Sequence, residues 1–140
     1  MLGGMAKNGL SIGEVAESTG LSVHALRFFE RENLFLREIP RTAGGQRAYD
    51  PADVDWLVLC NRFRDSGMPI ATIKEFAGLV RSGPGNERER LALLEEHERA
   101  VEARIAALHE NLGIIRGKVT AYREHVRDGT AAGVWAPSGN

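Results

Sequence analysis

Apolar residues return along this chain in helical rhythm, in short segments through the first half and in one long segment through the second. The first segment opens at Ser11-Ile12-Gly13-Glu14, an S-x-x-E capping box in which the serine caps the N3 amide and the glutamate reaches back to the serine amide. Ile12, Val15 and Ala16 share a face and Thr19-Gly20 stops the run, so a helix is predicted to about Ser18. Ser22 offers a second N-cap, and Val23 to Arg31 reads as another helix with Leu26 and Phe29 on its inner side. Two short helices joined by a glycine-containing turn form the pattern of a helix-turn-helix.

From Leu36 to Tyr49 the period changes. Ile39-Pro40-Arg41 and Gln46-Arg47-Ala48-Tyr49 flank Thr42-Ala43-Gly44-Gly45, whose glycines permit positive φ, and a small β-hairpin is predicted. Asp50-Pro51-Ala52-Asp53 then starts a third helix, with Asp50 as N-cap, Pro51 at N1 and Asp53 placed well for the helix dipole. It carries Val54, Trp56, Leu57, Cys60 and Phe63 to about Ser66, where Gly67 ends it. Pro69 opens a fourth helix with Ile70, Ile73, Phe76, Ala77 and Val80 at spacings of three and four.

Ser82-Gly83-Pro84-Gly85 is a breaker cluster, and Asn86 with Glu89 suggests a further N-cap. Beyond it Leu91, Leu94, Glu98, Val101, Ile105, Leu108, Leu112, Ile115, Val119, Tyr122 and Val126 alternate steps of three and four, a coiled-coil seam of about five heptads. About forty residues at 1.5 Å each make a rod on the order of 60 Å, longer than the preceding segment could cover. An uncovered stripe of that length is an aggregation hazard, so a partner helix is required and a homodimer is the economical solution. The expected organisation is mostly α. It comprises a flexible N-terminus over 1–10, a head over 11–82 that holds the helix-turn-helix, the hairpin and a second helix pair, a dimerisation helix over 86–127 and a flexible tail over 128–140.

Composition narrows the function classes. One hundred and forty residues hold one domain, or a small domain with an appendage, which excludes a large multi-domain enzyme. No apolar run reaches the roughly 18 residues of a membrane span, and residues 1–8 lack the apolar core of a signal peptide, so a cytoplasmic location with no membrane partner is expected. A single cysteine forms neither an internal disulfide nor a cysteine-rich zinc site. Eighteen basic against nineteen acidic residues give a net charge of −1, so any case for nucleic acid rests on where the charges sit.

They sit suggestively. His24, Arg27, Phe28 and Arg31 fall at i, i+3, i+4 and i+7, on the face opposite Leu26 and Phe29, where an exposed basic helix can enter a major groove. Glu30 and Glu32 lie nearby, and an ordinary solvated helix is the competing reading. Arg41 and Arg47 bracket Gly44-Gly45 with no acid between Ile39 and Tyr49, a locally positive strip able to approach a phosphate backbone. No Cys-His-acid arrangement or phosphate cradle completes an enzyme site, so no catalytic residue and no cofactor is expected.

Taken together, Ser11-Ile12-Gly13-Glu14-Val15-Ala16, Gly20-Leu21-Ser22-Val23, Leu26-Arg27-Phe28-Phe29-Glu30-Arg31-Glu32 and Arg41 to Tyr49 resemble the MerR family of bacterial transcription regulators. The resemblance covers Leu10 to about Val80 by motif and the long helix by architecture. It implies a winged helix-turn-helix head, a second helix pair and a long helix pairing antiparallel with that of a dimer mate. It further implies binding to pseudo-palindromic promoter DNA, with a signal-dependent distortion that lets RNA polymerase engage poorly spaced promoter elements. By position, Ser22, His24, Arg27 and Phe28, with Arg31 on the same face, match the recognition helix, and Arg41, Gly45, Arg47 and Tyr49 match the wing. The family usually has Tyr-Tyr where this chain has Phe28-Phe29, and the first hydroxyl typically meets a phosphate.

The resemblance says less about the signal. Metal-sensing members place cysteines near the start of the long helix, and Ser82 to Arg90 has none, so a soft-metal sensor and a metal site are not expected. Multidrug-sensing members append a large ligand domain, whereas about a dozen residues follow the rod here. A regulator of the short, small-effector or stress-responsive type fits best, with Cys60 and Trp135 as candidate effector-sensing residues. Cys60 also reads as an inert core residue on an apolar face. His97, His109 and His125 lie along the rod without metal-site spacing. An architectural DNA-binding protein without effector control, or a thiol or aldehyde sensor acting through Cys60, are the alternatives.

Overall fold

A computed structural model describes residues 9–130 and contains five α-helices among them. They are α1 (Ile12–Thr19), α2 (Val23–Arg31), α3 (Pro51–Asp65), α4 (Ile70–Arg81) and α5 (Glu87–Asp128). The expectations for Met1 to Asn8 and for residues 131–140, Trp135 included, lie outside the described residues.

Local chemistry sets the helix ends. Ser11 Oγ accepts the Glu14 N–H at 3.1 Å while the Ser11 N–H donates to Glu14 Oε1 at 2.8 Å, the reciprocal box anticipated from the motif. Gly20 ends α1 at φ +77°, a left-handed cap that a β-carbon would strain, and its N–H closes on Ala16 O at 2.9 Å. Ser22 Oγ caps α2 through the Ala25 N–H at 3.0 Å. Asp50 and Asp53 form a second capping box at α3. Pro69 stands at the N-cap of α4, one residue before its expected place. The Asn86 carboxamide ties the α4–α5 junction sideways, donating to Leu79 O at 2.9 Å and accepting from Arg90 Nε at 2.6 Å.

The hairpin is present as paired bridges and not as continuous strands. Arg41 pairs with Arg47, Thr42 N–H donates to Gln46 O at 2.7 Å, and Ala48 N–H donates to Pro40 O at 2.8 Å. Pro40 has no N–H to return, which interrupts the ladder. The returning arm then changes partner: Tyr49 and Leu10 exchange two backbone bonds of 2.8 and 2.7 Å. Leu10, expected in a flexible N-terminus, is therefore part of the fold, because it completes the base of the wing.

The core gathers these elements. Val15, Leu26, Phe29, Leu34, Tyr49, Leu57 and Ile73 are at most 1% exposed, and such side chains each gain roughly 1.5–3 kcal/mol on burial. Trp56 stacks on Phe76 with centroids 6.0 Å apart and donates its Nε1–H to Leu34 O at 2.6 Å. Asp53, the buried carboxylate among the described residues, takes hydrogen bonds from Arg37 at 3.1 and 2.5 Å, so its charge is paired where desolvation would otherwise be costly.

The chain divides into two compact units, one running to His97 and one from Glu98. The opening turns of α5 thus belong to the first unit, where an expected boundary near 86 would have detached them. Leu93 packs on the core, and His97 bonds Ser66 Oγ at 2.8 Å and meets Phe63 edge-on. Among the described residues the second unit is the remainder of α5 with Gly129 and Thr130. At 42 residues the whole helix is about 63 Å long.

Candidate nucleic-acid interface

The turn at Gly20 and the Ser22 cap present α2 with its apolar side, Leu26 and Phe29, in the core. The opposite side carries His24, Arg27 and Arg31, all exposed, and none of the three makes an ion pair among the described residues. The neighbouring acids are committed elsewhere. Glu32 pairs with Lys74 of α4 at 2.9 Å, and Glu30 pairs with Arg47 of the wing. Their charge is neutralised by those partners, leaving the outer face of α2 cationic.

Phe28 lies at the edge of that outer face. It is half-buried against the core, with its ring edge-on to Phe29 at 5.9 Å. The Arg64 guanidinium, from the last turn of α3, lies 4.5 Å from the centre of the Phe28 ring, and that of Arg31 lies 6.0 Å away. Two arginines from different helices therefore meet at one aromatic platform through cation–π contacts. Arg64 had no sequence signal joining it to this surface, since it is separated from Phe28 by the whole wing.

On the wing, Arg41 is exposed and donates to Gly45 O at 3.0 Å, across a turn in which Gly45 adopts φ +84°. Arg47 is 22% exposed at its side chain. Tyr49 is a correction: expected among the DNA-facing residues, it is fully buried, its ring 5.8 Å from that of Phe35 and its hydroxyl without a hydrogen-bond partner among the described residues. Burial first, then the nearby Glu30 charge, raises its pKa, so the phenol stays neutral. Tyr49 holds the wing down and touches no ligand surface.

Residues 10–78 match the model of the MerR HTH family regulatory protein. An uncharacterised HTH-type transcriptional regulator of Haemophilus influenzae is 32% identical over 124 residues, covering 89% of this chain and 91% of the relative. The chain belongs to the MerR family. A crystal structure of HiNmlR, described as a MerR family regulator lacking the sensor domain and bound to promoter DNA, is similar with a TM-score of 0.82 and 30% identity, over 91% of this chain and 96% of that one. The HTH-type transcriptional regulator AdhR of Bacillus subtilis is 30% identical over 94 residues, 66% of each protein.

The other candidate positions of this MerR-family regulator fall into two groups. Along α5, of the positions expected to form a dimer seam, Leu94, Ile105, Leu108, Leu112, Ile115, Val119 and Tyr122 are exposed and Val101 is half-buried. Cys60 is 1% exposed within the core, and desolvation pushes its thiol pKa up to about 12. A thiol so protonated has almost no thiolate with which to react at neutral pH. Trp135 lies outside the described residues. No helix among the described residues is long and apolar enough to cross a membrane.

Proposed function

We propose that this MerR-family transcription regulator binds pseudo-palindromic promoter DNA as a homodimer and reshapes it in response to a small-molecule or stress signal, so that RNA polymerase can engage the promoter. The observation that carries this is the outer face of α2, where the cations Arg27 and Arg31 stand beside His24 with the neighbouring acids already paired. A helix so presented can read base edges, while Arg41, Gly45, Arg47 and Ser22 suit phosphate contacts that fix register. Arg64 joins them beside Phe28. The likeness to a MerR regulator bound to promoter DNA supports the same partner here. The exposed α5 seam supports the dimer, which in turn implies two half-sites related by a two-fold axis. DNA as partner entails work in the cytoplasm. Cys60 is poorly suited to sensing, because it would have to leave the core to react.

The test is selection of random duplex DNA by the purified protein at physiological salt, followed by sequencing of the retained fraction. An inverted repeat is the expected product. Retention without a motif, vanishing as salt rises, would refute sequence-specific regulation and leave an architectural role.

A further inference from the structure

Glu30 stands in the last turn of α2 and Arg47 on the returning arm of the wing, and their ion pair ties together the two elements proposed to grip DNA. The contact is made through one nitrogen, Nε of Arg47, to Glu30 Oε1. The two terminal nitrogens of Arg47 make no hydrogen bond among the described residues, and the side chain remains 22% exposed. A guanidinium held at Nε loses rotational freedom yet keeps its outer N–H groups for a second anion. Its neighbours are tied differently. Arg41 is fastened to its own turn through Gly45 O, and Glu32 is paired with Lys74.

We infer that Glu30 is a positioning residue for DNA binding: it holds the wing arginine Arg47 by Nε so that its two terminal nitrogens face a backbone phosphate. This rests on the proposed DNA-binding function and assigns part of that surface to an acidic residue that would not itself touch DNA. Its negative charge, unfavourable near phosphate in isolation, is offset because it immobilises the cation that makes the contact.

The experiment measures affinity for the selected duplex at several salt concentrations for wild type, Glu30→Ala, Glu30→Gln, Arg47→Ala and the Glu30→Ala/Arg47→Ala pair. Glu30→Ala should weaken binding roughly threefold to tenfold per protomer. It should also move the salt slope toward that of Arg47→Ala, which loses about 0.9 per phosphate contact. Glu30→Gln keeps an acceptor for Nε and should stay within about threefold of wild type. The double variant should bind no worse than Arg47→Ala. Glu32→Ala, which breaks the other ion pair of the same turn, should leave the salt slope unchanged even where its melting temperature falls as far. Tighter binding by Glu30→Ala would overturn the inference by showing that Glu30 competes with phosphate. An equal loss from Glu30→Ala in the Arg47→Ala background would overturn it as well. If Arg47→Ala binds like wild type, the wing contact itself is wrong, and if wild type retains no duplex, the DNA-binding reading fails first.

Discussion

The sharpest quantitative expectation concerns the seam of α5. Leu108 is 65% exposed in the single chain, so about two thirds of its side chain is available for burial by a partner helix. Full burial of a leucine stabilises by roughly 2 kcal/mol. A two-fold dimer contains the position twice, so truncation by Leu108→Ala removes about 2.6 kcal/mol, or roughly 80-fold in the dimer dissociation constant. Leu108→Lys adds the cost of placing an ammonium group in an apolar seam and should leave the chain monomeric at micromolar concentration. Glu110→Lys, two residues on and across the helix, changes the charge more and should leave the dimer intact. Sedimentation velocity across a concentration series reads all three. A dimeric Leu108→Lys with a dissociated Glu110→Lys would refute the register, and a wild type that is monomeric at every concentration would refute the seam.

Three further outcomes are expected. Arg64→Ala should weaken binding to all duplexes alike and lower the salt slope by about 0.9 per protomer, whereas Arg27→Ala should relax preference at one position of each half-site by roughly 1–3 kcal/mol; an unchanged slope for Arg64→Ala in salt titrations would remove it from the interface. Phe28→Tyr adds a hydroxyl where family members usually carry one, and should tighten binding by up to about tenfold per half-site at fixed salt, an idea that unchanged affinity would sink. The Cys60 thiol is neutral in the folded chain up to about pH 12 against an ordinary value of 9.0, so the folded state binds this proton more tightly than the unfolded state. Its contribution is complete below about pH 9 and is lost as pH climbs toward 12; denaturant titrations of Cys60→Ala should therefore fall less steeply over that window, and rapid maleimide labelling of native protein at pH 7 would contradict the burial.

What could be read from the chain alone divides by the range of the interaction. The caps at Ser11, Ser22 and Asp50 are bonds across three residues, and their partners stand in the same short motif. The length of α5 and its apolar period were legible for a similar reason, since a period of three and four needs no knowledge of tertiary contacts. Tyr49 was not, because strand alternation puts it on the same side as Arg47. Those two residues pair with different segments, Arg41 and Leu10, so the alternation does not carry across. The cluster of Arg64, Phe28 and Arg31 was equally hidden, as it needs the α3 end brought against α2.

The same distinction explains how a chain of net charge −1 can offer a cationic surface. Counting charges treats each acid as free to cancel the nearest base in sequence, and on that count Glu30 and Glu32 would silence α2. In the fold they are turned to Arg47 and Lys74, while Asp50 and Asp53 are taken by Arg37. Each of these pairs joins different elements of the head, so acids that lower the total also fix the wing and the helix pair around α2. His24, Arg27 and Arg31 make no such pair among the described residues, and they are the side chains that face outward together. A polyanion therefore meets positive charge that has no carboxylate to surrender first, and Coulomb attraction at that face is set by the local arrangement and not by the sum.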